Sequence, residues 1–232
     1  DAKEGMMGIY SSLKKDDAFG IYYTRDCLAD IGIGLNWGVY GFIEVAQGQS
    51  NSTTGLFKDI WKRMYDGIAR SNTLITNIKR VDMDESLINQ YTAEARFMRA
   101  LFYYHAMDLF RNIPFVTEND PTVGYLPPRY TAAQVFSYIE SELTSITSDM
   151  LDRANCPYGR ASRGAAYTLL AKLYLNAEVY INTPKYTECI RACKEVIKQG
   201  YSLEDDYSKL FNADNDKRTA NEIIFTLPVD AT

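Results

Sequence analysis

The sequence predicts an all-α fold of stacked antiparallel helix pairs, with long irregular loops and one short strand near its end. Three observations carry that reading. Apolar residues recur at three- and four-residue steps over most of the chain beyond Gly55. Helix start and stop signals cut that stretch into segments. Two stretches lack any such period, a glycine- and aromatic-rich one at 20–54 and a proline-rich one at 111–130. At 232 residues and 26.4 kDa the chain suits a single domain, 1–232, with a sizeable core.

The first periodic segment opens at Gly55. Phe57, Ile60, Trp61, Met64, Tyr65, Ile68, Ile75 and Ile78 form one apolar stripe. After the acidic connection Asp82-Met83-Asp84-Glu85, the pattern resumes through Leu87, Ile88, Tyr91, Ala95, Met98, Leu101, Phe102 and Leu109. Around 97–110 this second helix is apolar almost all round, so it should be the buried centre. Thr131-Ala132-Ala133-Gln134 reads as a capping box that opens a third helix, with Val135, Phe136, Ile139, Leu143 and Ile146 inward. A fourth helix runs from about Gly164 to Tyr180. Thr183-Pro184 reads as an N-cap followed by proline at the first helical position. The fifth helix carries Tyr186, Ile190, Cys193, Val196 and Ile197 and stops at Gly200, a natural residue after a helix end. The pair at 161–200 has about the length of one tetratricopeptide repeat. Glu222-Ile223-Ile224-Phe225-Thr226-Leu227 is β-prone and predicts an edge strand.

Composition narrows the function. The 25 basic and 30 acidic residues give a net charge of −5, without the basic footprint that phosphate neutralisation needs, so nucleic acid is not an expected partner. No apolar run approaches the ~20 residues of a membrane span. The start, Asp1-Ala2-Lys3-Glu4-Gly5, lacks a secretion-signal pattern, which leaves a cytoplasmic protein or one whose signal has been removed. Cys27, Cys156, Cys189 and Cys193 are too scattered for a disulfide framework or a zinc set and read as packing residues. The 18 tyrosines, 10 phenylalanines and 2 tryptophans point either to thick helix packing or to a surface that stacks on ligands.

Recognisable catalytic chemistry is missing from the pattern. Gly32, Gly34 and Gly38 are misplaced for a dinucleotide fingerprint. Asn212-Ala213-Asp214-Asn215-Asp216 begins like a calcium loop but has Lys217 and Ile223 where glycine and glutamate are needed. A looser cation site through Asp214 and Asp216 competes there with a plain solvated turn. His105 reads as an interior histidine, and Glu94 as a structural carboxylate that faces neighbouring elements. No pair of carboxylates is placed for glycosidic chemistry. The expectation is a protein with no catalytic residue, no metal and no cofactor.

One resemblance rests on these same stretches. Ala93-Glu94-Ala95-Arg96-Phe97-Met98-Arg99-Ala100-Leu101-Phe102-Tyr103-Tyr104, followed by Ile113-Pro114-Phe115-Val116, resembles the hallmark segment of the SusD/RagB family. Further matches keep the family's order: Trp61, Tyr65 and Asn72, then 158–166 into 169–175, Gly200-Tyr201-Ser202-Leu203, Tyr207, Leu210-Phe211 and Asn221-Glu222-Ile223-Ile224-Phe225. They spread from about residue 56 to 227, and residues 1–54 match only loosely.

The resemblance implies a tetratricopeptide-like helical scaffold at the cell surface of Bacteroidetes, held to the outer membrane by a lipid anchor outside this chain. It implies that the protein binds an oligosaccharide or polysaccharide without cleaving it and works with a SusC-like TonB-dependent transporter. It also implies that the chain is the N-terminal portion of a longer protein whose irregular C-terminal half lies elsewhere. Sugars need aromatic faces for their C–H surfaces and polar groups for their hydroxyls. Loop candidates of that kind are Trp37 and Tyr40, with Asn36 and Asp30 as polar partners. The competing reading has Trp37 and Tyr40 pack the N-terminal segment onto the helices. Trp61, Tyr65, Tyr103, Tyr104 and Tyr174 fall at helical spacing and read as core or groove packing. The alternative function is a helical-repeat scaffold for protein–protein contacts without sugar binding.

Overall fold

The computed structural model describes residues 2–13, 44–45, 47–121, 123–218 and 221–228. Its helices are α1 (Ala2–Ser11), α2 (Gly55–Asn77), α3 (Glu85–Phe110), α4 (Ala132–Ile146), α5 (Arg163–Leu175), α6 (Ala177–Ile181), α7 (Tyr186–Lys198) and α8 (Asn215–Arg218). Short 3₁₀ turns occupy Ile78–Arg80 and Tyr207–Phe211. The all-α class holds.

The pairings are antiparallel, as cross-contacts show. Between α2 and α3, Trp61 meets Phe110 and Asn72 meets Arg99. Between α3 and α4, Arg96 reaches Ser145 while Tyr103 meets Tyr138. Between α5 and α7, the Cys189 thiol donates to the Ala171 carbonyl at 3.3 Å, while Ser162 just before α5 meets Tyr201 just beyond α7, hydroxyl to hydroxyl at 3.1 Å. Close approach has a sequence cause at Gly67, where an added Cβ would lie 2.3 Å from the Phe102 ring.

Helix α3 is the buried axis. Every residue from Phe97 to Met107 is buried, including Arg99 and His105. The capping box at Thr131 is formed in full: the threonine oxygen accepts from the Gln134 N–H, and the Gln134 side chain accepts from the Thr131 N–H. Gly200, at φ +79°, follows α7 in the left-handed conformation that glycine adopts without penalty.

Four sequence expectations need correction. Helix α1 was not foreseen; it packs on α2 and α3 through Met6 and Ile9. The predicted fourth helix breaks at Asn176 into α5 and α6. The fifth begins at Tyr186, not at the Thr183-Pro184 start signal, because α6 ends at left-handed Asn182 (φ 53°) and the chain needs 183–185 to turn. The run Glu222–Leu227 is no strand. It pairs with no strand among the described residues and lies as coil, with Phe225 against Phe97 (5.8 Å) and Tyr10 (6.2 Å). The sheet that does form is a two-residue antiparallel pair, β1 (Ile113–Pro114) with β2 (Arg129–Tyr130), which closes the proline-rich loop at its base.

Candidate functional site

The predicted ligand residues Asp30, Asn36, Trp37 and Tyr40 lie outside the described residues, as does Cys27. What the structure places is the frame beside them in sequence, residues 47–61 and the end of α3.

An asparagine-led turn opens this frame. The Asn51 side-chain oxygen accepts from the Thr53 N–H at 2.8 Å, and the Asn51 N–H donates to the Thr54 hydroxyl at 3.1 Å. The turn delivers the chain into α2, whose first exposed face carries Phe57, Lys58 and Trp61. The indole of Trp61 stands edge-on to Phe110 with centroids 5.0 Å apart and lies 4.8 Å from the Tyr65 ring. Phe57 meets Phe110 edge-on at 6.5 Å. Phe57, Trp61 and Phe110, with Leu109, Asn51, Ser52 and Lys58, line a cleft of about 560 Å³. Half-buried aromatic walls beside an amide, a hydroxyl and an ammonium can take a ligand that has both apolar faces and hydroxyls.

The position of this cleft depends on a polar clamp behind it. Tyr65 donates to the Pro114 carbonyl at 2.7 Å, and Tyr103 donates to the Val116 carbonyl at 2.6 Å while accepting from the Val116 N–H at 2.9 Å. Buried Arg99 donates to Asn72 at 2.6 Å and to Glu142 at 2.9 Å, and also to Glu118. Arg96 adds a two-pronged contact to Glu142, at 3.1 and 2.6 Å. Burial raises the Glu142 carboxyl, but the Arg96 and Arg99 contacts outweigh it and hold the group below the usual carboxylate range. Burial likewise raises the Tyr103 and Tyr138 hydroxyls, so both stay neutral. The proline-rich segment 111–130 is therefore anchored at its ends. Its middle carries the exposed side chains of Val123 and Leu126.

A second cleft, of about 450 Å³, lies where Arg153, Tyr158 and Ser162 meet Gln199, Tyr201 and the coil 223–226. The Arg153 guanidinium sits 5.0 Å over the Tyr201 ring and is already committed to the Gly200 carbonyl and to Asn221. That cleft is braced from within. The Trp61 cleft is the better candidate because its polar rim residues Ser52 and Lys58 are exposed.

Other sequence assignments fall as follows. Tyr103, Tyr104 and Tyr174 are buried, whereas Trp61 and Tyr65 are half-buried at the cleft and its support. Glu94 does face its neighbours, accepting from Arg160 and from Tyr10. Cys156 and Cys189 are part-buried, but Cys193 is exposed and is no packing residue. Asp214 lies in the turn before α8 and Asp216 in its first turn, and no group of three potential metal ligands is found among the described residues. Asn51, Ser52 and Lys58 escaped sequence reading because isolated polar residues in a loop carry no period. The visible signal was Phe57 and Trp61 side by side on the first two turns of a helix that follows the glycine-rich stretch.

Residues 25–175 match a family model described as starch-binding, associating with outer membrane. The chain is 39% identical to the starch-binding protein SusD of Bacteroides thetaiotaomicron, over 60% of this chain and 25% of that protein. It is 27% identical to a SusD-like protein, P25, of Formosa agariphila, over 98% of this chain and 44% of that one. Among solved structures, a laminarin-binding SusD-like protein superposes with a TM-score of 0.78 at 27% identity, covering 94% of this chain and 49% of the other. A SusD superfamily protein from Bacteroides vulgatus shares the fold with a TM-score of 0.83 at 19% identity, covering 98% and 49%. The chain thus spans half or less of the length of these relatives. No helix among the described residues is long and apolar enough to cross a membrane.

Proposed function

The chain belongs to the SusD-like family, and from that premise we propose that it captures glycans at the cell surface and passes them inward uncleaved. The observation that carries this reading is the match of residues 25–175 to a starch-binding family. Its chemistry agrees: the Trp61 cleft pairs aromatic walls with Asn51, Ser52 and Lys58, the combination that sugar faces and hydroxyls require. Trp37 and Tyr40, with Asn36 and Asp30, supply further stacking and hydrogen bonding from the glycine-rich segment. The full-length protein is held at the outer membrane by a lipid outside this chain and works with a SusC-like TonB-dependent transporter. A protein-binding helical scaffold is the second reading, and the outward apolar face of α7 speaks for it.

The test is electrophoresis of the full-length gene product and of residues 1–232 through gels holding starch, laminarin and other plant and microbial polysaccharides. Retardation by at least one glycan, with no shortened product, is expected. Migration unchanged by every glycan contradicts the proposal and favours the scaffold.

A further inference from the structure

Helix α7 carries two cysteines one turn apart. Cys189 and Cys193 stand at i and i+4, so their side chains are neighbours on one side of the helix. Cys189 is part-buried, and its thiol is held against α5 by the Ala171 carbonyl at 3.3 Å. Cys193 is exposed and belongs to the outward apolar stripe of Tyr186, Ile190 and Ile197. The two sulfurs also feel each other: burial raises the Cys189 thiol, and the Cys193 thiol beside it raises it further.

Helix geometry decides what such a pair can do. On an α-helix the Cβ atoms at i and i+4 lie about 5–6 Å apart. A disulfide needs them about 3.5–4.5 Å apart. The pair is therefore set too wide for a sulfur–sulfur bond and wide enough for one ion between the sulfurs. Among the described residues no carboxylate or imidazole joins them to make a group of three. Zinc, which takes four ligands, is left short. A soft cation that favours thiolates and is content with two of them is not. We propose that Cys189 and Cys193 form a two-sulfur clip for cuprous copper on the outer side of α7. Each thiol gives its proton to solvent as its sulfur binds, and the copper stays cuprous throughout. Ile190 and Ile197, one turn away, surround the clip with apolar groups that offer no competing oxygen. The inference stands on α7 and not on the glycan reading.

The experiment offers cuprous copper, held by the chromophoric chelator bicinchoninate under ascorbate and without oxygen, to the intact gene product. The protein should withdraw about one equivalent more than the double variant Cys189→Ser with Cys193→Ser, and each single variant should weaken that uptake by about a hundredfold, because the second sulfur acts at high local concentration. Cys156→Ser should leave the uptake unchanged, and the copper-edge X-ray absorption of the loaded protein should show sulfur ligands that the double variant loses. Equal uptake by the native protein and the double variant overturns the inference. So does native affinity in either single variant, since one sulfur would then suffice. A dimer that grows with added copper puts the ion between two molecules and overturns it too. A disulfide between Cys189 and Cys193, formed in the native protein by oxidised glutathione, contradicts the spacing argument and the clip with it.

Discussion

Arg160 grips Glu94 with two guanidinium nitrogens, one of them at 3.0 Å, across sixty-six residues of sequence. Glu94 is buried in α3, while Arg160 belongs to the loop before α5 and keeps about a quarter of its side chain exposed. Tyr10 of α1 donates to the same carboxylate and accepts from the Ala161 N–H at 2.8 Å. One carboxylate thus ties the N-terminal helix, the central helix and the last helix pair together.

Removal of the exposed partner leaves a buried charge uncompensated, so Arg160→Ala should cost about 3 kcal/mol. Glu94→Gln should cost less, because Arg160 can turn to water. Urea denaturation of the two variants and of the double variant checks the order. The double variant should lose less than the sum of the singles.

Acid should loosen the clamp behind the cleft. The folded Glu142 carboxyl is held below its ordinary range, so its ion pairs stabilise the fold above the unfolded value, about 4.3 for glutamate. That contribution falls away as pH drops through the folded value. Thermal melts of the protein and of Glu142→Gln between pH 7 and 3 should converge at the acid end.

Gly67→Ala should destabilise by about 1–3 kcal/mol, because its methyl group would have to displace the Phe102 ring. The melting temperature should fall with the helical signal otherwise unchanged. The exposed Gly55 has no atom within 4 Å of an added Cβ, so Gly55→Ala is the control and should leave stability nearly unchanged.

At the cleft, Phe57→Ala and Lys58→Ala should each weaken glycan binding, Phe57 by about tenfold or ~1.4 kcal/mol. Trp61→Ala should lower both binding and stability, since the indole also packs Phe110 and Tyr65. Titration of each variant alongside its melting curve separates the two effects.

Sequence alone reveals most of the scaffold and little of the site. The stripes of α2, α3 and α4 and the Thr131 capping box were legible because their signals are local and repeated. Helix α1 hid behind Gly5 and Gly8, although Ala2, Met6, Ile9 and Leu13 keep helical spacing and are all buried. The β-prone run at 222–227 misled because branched residues satisfy a packed coil as well as a strand, and only a partner edge decides. The α7 stripe looked like any inward face; which of its sides meets α5 depends on Ala192 and Cys189, two small residues with no distinctive pattern. The Trp61 cleft needed the end of α3 brought beside the start of α2, a contact that no local period encodes.

The central claim is non-catalytic glycan capture, and calorimetric titration of the full-length gene product with starch and laminarin oligosaccharides tests it most directly. The account predicts saturable binding of at least one series, weakened in Phe57→Ala or Trp37→Ala, with the oligosaccharide recovered at its original length. Absence of binding to every glycan, or recovery of shortened sugars, would contradict it.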